Sequence, residues 1–257
     1  MNWTKNVKQR LLQIYSNLIE NDYKDLQIVK SNCLALERLL LNKKFTKSEE
    51  GKVVASLQIA KALPLFQFSY DLFETNIEVE FVEDFLKGRR HMKEYLLYDR
   101  FALLIKNEID LATIKRDDRV LFVGSGPFPI SAILLNKFTG CHVICYEKNR
   151  KYQALSSKLI KKLNLTSHIT IVCKKGEMLM DSSYTSIIIA LLAQPKEKIL
   201  RRVWRNTKKG TSIICRTSDG LRQVFYASAN DWLKSYMVAS KVFATGDQTI
   251  SSVLLVK

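Results

Sequence analysis

Residues 119–131 read RVLFVGSGPFPIS, and this stretch decides the fold. Its first five residues, Arg119 to Val123, form a short apolar run with β-branched and aromatic side chains, the composition of a buried strand. Gly124, Ser125, Gly126 and Pro127 follow at once, and residues 130–138 read as a helix. A strand, a glycine-rich turn and a helix in that order form the setting in which a G-x-G pair cradles a nucleotide. Gly124 permits the tight turn, and Gly126 lets the backbone come close to a ligand. The third glycine of a dinucleotide fingerprint is absent, yet the start of the following helix can still face a ligand carboxylate.

The rhythm continues on the C-terminal side. Residues 141–146 (CHVICY) are a second strand ending at Glu147, residues 149–163 a basic helix, and residues 169–173 a third strand. Residues 186–191 (SIIIAL) are a fourth strand, 196–207 a helix, and 212–216 a fifth strand preceded by Gly210. A late helix and further strands follow, including residues 252–256. Strands alternating with helices in this way predict an α/β fold with a doubly wound, mostly parallel sheet. Glu147 stands 23 residues after Gly124 at a strand end, where an acid accepts hydrogen bonds from ribose hydroxyls. Glu177 follows the third strand, where S-adenosylmethionine-binding domains hold an acid facing the adenine. The glycine pair alone fits an ordinary strand-to-helix turn. Together with Glu147, Glu177 and the strand rhythm it points to an adenosyl ligand.

No strand is expected before residue 118. Apolar residues recur at spacings of three and four, as in Val7, Leu11 and Leu18 and again in Leu36, Leu39 and Leu40, the mark of helices. Thr46-Lys47-Ser48-Glu49 has the hydroxyl and the acid of a helix start. The pattern from Leu57 to Phe73 is interrupted at Pro64, which starts or kinks a helix. Further helices are expected over residues 79–87, ending near Gly88, and over 95–111. The reading places an all-helical N-terminal domain at 1–114 and a Rossmann-like S-adenosylmethionine-binding domain at 115–257.

Composition narrows the class. Of 257 residues, 47% are hydrophobic and 26% charged, which supplies a core and excludes wholesale disorder. No run approaches the roughly 18 apolar residues of a membrane-crossing helix. The first twenty residues carry charges throughout and lack the apolar centre of a secretory signal. Cys33, Cys141, Cys145, Cys173 and Cys215 show no paired C-x-x-C spacing, so a reduced, cytoplasmic protein without a structural zinc is expected. His91, His142 and His168 are widely separated and suggest no metal site. Net charge is +16 and uneven: residues 1–110 carry 17 basic and 16 acidic side chains, residues 111–257 carry 24 and 9. A basic half raises a polyanion as partner. No RNA-binding signature or aromatic–basic interleaving accompanies it, so neither nucleic acid nor a membrane is the expected partner.

Three stretches resemble the nicotianamine synthase family, including its bacterial staphylopine-synthase-like members. They are VGSGPFPIS at 123–131, IIIALLAQPKEKILRRVWRNTKKGTSIICR at 187–216 and RTSDGLRQVFY at 216–226. The resemblance covers most of residues 95–230. It implies an enzyme that takes S-adenosylmethionine as donor and moves its 2-aminobutanoate chain to the amine of a small-molecule amino acid, histidine among the candidates. Methylthioadenosine is then released, and the product belongs to metallophore biosynthesis. The resemblance assigns Gly124, Ser125, Gly126, Pro127, Glu147, Glu177 and Leu191 to the donor.

The acceptor's carboxylate needs cations, and Arg216 and Arg222 suit that task. An incoming amine must be neutral, so a proton acceptor belongs nearby. Residues 95–101 followed by Glu108 resemble a tyrosine-rich run of the family. Leu97 replaces the first tyrosine of its pair, which leaves Tyr98 as the catalytic candidate. Asp71 and Glu74 are the upstream carboxylate candidates. Two rival readings remain at this point: an S-adenosylmethionine-dependent methyltransferase acting on a small or anionic substrate, and a binding domain without activity. The block from Arg216 to Tyr226 favours the chain-transferring enzyme.

Overall fold

The structure, a computed structural model, describes residues 3–41, 43–179, 181 and 183–257. These fall into two compact units. The first takes the described residues within 1–76, 217–228 and 243–251; the second takes those within 77–216, 229–242 and 252–257.

Helices build the first unit: α1 (Trp3–Glu20), α2 (Leu26–Leu40), α3 (Lys47–Val54) and the N-terminal part of α4 (Leu57–Leu86). Val7, Leu11 and Leu18 of α1 and Val29, Cys33 and Leu36 of α2 are buried, as their spacing predicts. Asp25 caps α2 by accepting from the N–H groups of Gln27 and Ile28, and Thr46 with Glu49 forms the expected capping box on α3. The sequence predicts two helices between Leu57 and Lys87; the structure has a single 30-residue helix with Pro64 inside it. A proline in a helix interior costs about 3 kcal/mol. Ile59, Phe66, Tyr70 and Phe73 are all buried, and each large apolar side chain contributes about 1.5–3 kcal/mol, which offsets the proline several times over. The rings of Phe225 and Tyr226 pack on Tyr70 at centroid distances of 4.8 and 5.1 Å and bring residues 217–228 into this unit.

The second unit is built on a sheet of β1 (Arg119–Val123), β2 (His142–Glu147), β3 (Ile169–Cys173), β4 (Ser186–Ile189), β5 (Ser212–Thr217), β6 (Val238–Val242) and β7 (Ser251–Val256). The order is β3-β2-β1-β4-β5-β7-β6. The neighbours from β3 through to β5 pair in parallel, and β6 runs antiparallel to β7. Helices α5 (Tyr98–Ala112), α6 (Ile130–Thr139), α7 (Arg150–Lys162), α8 (Lys196–Asn206) and the short α9 (Asn230–Leu233) accompany the strands. This is the expected Rossmann-like α/β architecture. Strand order runs outward from β1 in one direction and from β4 in the other, so the crevice at their carboxyl ends is where an open α/β sheet holds its ligand. The sequence expects further late strands without giving bounds for β6, whose first three residues are exposed and give no apolar run. The change from helices to strands falls near residue 115, whereas contacts divide the chain between Asn76 and Ile77, inside α4.

Candidate active site

The seven residues assigned to the donor, Gly124, Ser125, Gly126, Pro127, Glu147, Glu177 and Leu191, all belong to the second unit. Strand β1 is buried from Val120 onward and delivers Gly124 with φ +85°. Gly124 donates its N–H to the Tyr146 carbonyl of β2 at 2.8 Å. A Cβ on Gly124 would stand 2.9 Å from Cβ of Ala193, so positive φ and the close approach of the β4–α8 loop both demand glycine. Gly126 also has positive φ, +68°. Its neighbour Ser125 is buried, and Ser125 Oγ has no hydrogen-bond partner among the described residues; the Cys145 thiol is its polar neighbour. After Pro127, the chain enters α6 with no side-chain cap on its first turn.

Glu147 ends β2 and is 6% exposed. One carboxylate oxygen accepts the N–H of Gly126 at 2.9 Å, the other the N–H of Asn149 at 2.7 Å. Each oxygen keeps a second lone pair for a ligand hydroxyl. Glu177 is half-buried in the short turn Gly176–Met178, and a Cβ on Gly176 would collide with the Val123 side chain at the end of β1. That turn therefore lies against the carboxyl end of β1. Leu191 is buried in the loop after β4, beside Ala190, whose N–H donates to the Val123 carbonyl at 2.9 Å.

Arg216 departs from the expectation of a substrate-binding cation. Its guanidinium is buried and forms a two-pronged pair with Glu108 of α5, both distances 2.9 Å. It also donates to Ser131 Oγ at 3.1 Å and lies 5.0 Å over the Phe122 ring, while Ser252 donates to Glu108 at 2.7 Å. A guanidinium held in this way ties α5, α6, β5 and β7 together and is not offered to a ligand.

Tyr98 departs as well. Its hydroxyl accepts from Lys137 Nζ at 3.2 Å. Lys137 is seven residues into α6, about 10 Å along the helix from the glycine loop at a rise of roughly 1.5 Å per residue. Tyr95 is the tyrosine that meets the loop: its ring packs edge-on against Phe128 at 4.8 Å.

The structure adds Lys196, which opens α8 and is 2% exposed. Its ammonium donates to the Ala190 carbonyl, and burial pushes its pKa down to about 8. In the sequence the lysine shows only as the first residue of the helix expected over 196–207; nothing local marks it as buried.

Asp71, Glu74 and Arg222 belong to the first unit. Asp71 is exposed. Glu74 is buried and accepts the Tyr226 hydroxyl at 2.5 Å; burial, then the Glu74 charge, holds that phenol well above its usual pKa. Arg222 donates to the carbonyls of Gln248 at 2.6 Å and Gly246 at 3.1 Å, and the carboxylates of Glu50 and Asp219 face its charge. Among the described residues, no group of three or more His, Cys, Asp or Glu could hold a metal ion, and no helix is long and apolar enough to cross a membrane.

Residues 65–257 match the family model described as nicotianamine synthase protein. The L-histidine 2-aminobutanoyltransferase of Yersinia pestis is 29% identical over 125 residues, 49% of this chain and 47% of that protein. The chain thus spans about half the length of the curated relatives it matches. The crystal structure of MtNAS in complex with MTA and tNA has a TM-score of 0.89 at 23% identity, covering 100% of this chain and 98% of that one. A MtNAS variant in complex with S-adenosylmethionine gives 0.88 at 23% identity, covering 97% of each. At that identity the likeness is one of fold.

Proposed function

The chain belongs to the nicotianamine synthase family, and on that footing we propose that it transfers the 2-aminobutanoate chain of S-adenosylmethionine to the amine of an amino acid. Methylthioadenosine is the released nucleoside. The observation that carries the reading is the loop constellation at the β1–β4 crevice: Gly124 and Gly126 at positive φ, with Glu147 at the end of β2. The buried Ser125 hydroxyl and the carboxylate oxygens of Glu147 supply polar contacts of the kind a ribose requires. Glu177 and Leu191 are assigned to the adenine. The amino-acid acceptor, of which histidine is the example carried by a relative, is assigned to Arg222.

The donor's sulfonium activates its attached carbons, and geometry decides which of them an amine attacks. The chain's own residues then have two tasks. Glu74, a buried carboxylate, is assigned to take the proton from the attacking amine, and Asp71 is set aside because it is exposed. Tyr95 replaces Tyr98 as the catalytic candidate, because its ring packs against Phe128 of the loop. The test is incubation with S-adenosylmethionine and a panel of amino acids, with the nucleoside identified by mass. Methylthioadenosine supports chain transfer, and S-adenosylhomocysteine would make the protein a methyltransferase instead.

A further inference from the structure

Lys196 is a buried cation to which no role has yet been given. It opens α8 at the end of the loop from β4 and is 2% exposed, and its ammonium donates to the carbonyl of Ala190, the first residue of that loop. Nothing in the fold alone calls for a charge there. The first turn of a helix disfavours a cation, because its backbone N–H groups make that end positive. The titratable groups facing the ammonium are the Cys215 thiol, whose proton burial holds in place, and the Arg216 guanidinium, both on β5. Neither neutralises it at pH 7, and burial pushes its pKa down to about 8. The turn that packs on Ile199 of α8 carries Glu177, which is half-buried. An unbranched apolar side chain would suit this enclosed position better than a charge.

What the ammonium does hold is one wall of the donor crevice. Ala190 donates its N–H to the Val123 carbonyl at the end of β1, and its own carbonyl takes the Ala193 N–H at 3.2 Å as well as the ammonium. The turn closed in this way is the one that seats the glycine loop. A Cβ on Gly124 would stand 3.4 Å from Cβ of Ala190 and 2.9 Å from Cβ of Ala193. Leu191, buried within the turn, is the side chain assigned to the adenine. So enclosed, Lys196 is not itself offered to a ligand. Resting on the proposed donor, we infer that Lys196 is a positioning residue whose ammonium holds the 190–193 turn where the adenosyl half of the donor is bound. That half is shared by S-adenosylmethionine and methylthioadenosine, so both depend on it. The ammonium is present below about pH 8 and lost above it, so the turn is held best at neutral pH and adenosyl affinity falls as the pH rises through that value.

Methylthioadenosine is the probe, because it carries neither the ammonium nor the sulfonium of the donor and does not itself titrate between pH 7 and pH 9.5. Its binding to the whole chain is measured by calorimetry at those two pH values, for the parent and for Lys196→Met. The parent is expected to bind about fivefold more weakly at pH 9.5, the step from a charged to a neutral donor of one hydrogen bond. Lys196→Met is expected to bind about 10- to 100-fold more weakly than the parent at pH 7, to show no such step with pH, and to melt no lower than the parent. Unchanged affinity in the variant would overturn the inference. So would the same pH step in both proteins, since the step would then belong to another group. A variant that melts below the parent or fails to fold would make Lys196 a support of the fold and overturn the inference as well. The parent's own pH step needs no variant, and a flat profile between the two pH values is a further contrary result. A parent that binds methylthioadenosine at neither pH would instead overturn the donor reading, and the inference with it.

Discussion

Replacing Arg216 with methionine separates a structural arginine from a substrate clamp. The side chains of Arg216 and Glu108 are 3% and 0% exposed, and their two-pronged pair is shared with Ser131 and Ser252. Arg216→Met leaves the Glu108 carboxylate buried with only a hydroxyl donor from Ser252. Removing one partner of a buried ion pair costs about 3–5 kcal/mol. For a chain of this size 1 kcal/mol moves the melting temperature by about 2–4 °C, so a fall of roughly 6–20 °C is expected. Glu108→Gln strands the guanidinium in the same way and belongs in the same range. The double variant should be less destabilised than the sum of the two, because each single change has already lost the shared interaction. The assay is thermal unfolding followed by circular dichroism, beside steady-state kinetics for the acceptor. An Arg216→Met protein that melts with the parent but shows an acceptor KM raised tenfold would refute the structural role and restore the clamp.

Lys196 gives a pH-dependent outcome. The gap between about 8 in the folded chain and the ordinary 10.5 corresponds to about 3 kcal/mol of disfavoured charge. That penalty is complete below pH 8 and fades as pH rises toward 10.5, so Lys196→Met should be the more stable protein at pH 7 and lose its advantage near pH 10. Denaturant titrations of both proteins at the two pH values check it, and a constant difference would count against it. Gly124→Ala sets a Cβ 2.9 Å from Ala193 at φ +85° and should destabilise by about 1–3 kcal/mol, read as a shift in urea midpoint. Tyr95→Phe should lower kcat by at least about 10²-fold, while Tyr98→Phe stays near the parent. Equal rates for the two variants would remove Tyr95 from the mechanism.

The parts legible in the sequence are those set by local chemistry. Strand β1 and the loop after it follow from five residues and two glycines, and Thr46 with Glu49 announces its own cap. In the sequence Pro64 interrupts the apolar pattern of helix α4, whereas burial of Phe66, Tyr70 and Phe73 carries the helix through. The partners of single side chains lie beyond such reading. Arg216 meets a carboxylate 108 residues away, and Glu78 meets Gly126 only after α4 and β1 are folded into one unit. Tyr95 and Tyr98 are three residues apart and look alike in sequence. Which of them meets the loop is decided by packing, Tyr95 on Phe128 and Tyr98 beside Lys137.

The central claim is which carbon leaves the sulfur. The direct measurement uses S-adenosylmethionine carrying one isotope in the methyl group and another in the 2-aminobutanoate chain, with histidine as the first acceptor tried. The account predicts that the chain label appears in the amino-acid product and the methyl label stays with methylthioadenosine. A methyl label in the acceptor, with the chain label retained in S-adenosylhomocysteine, would contradict it.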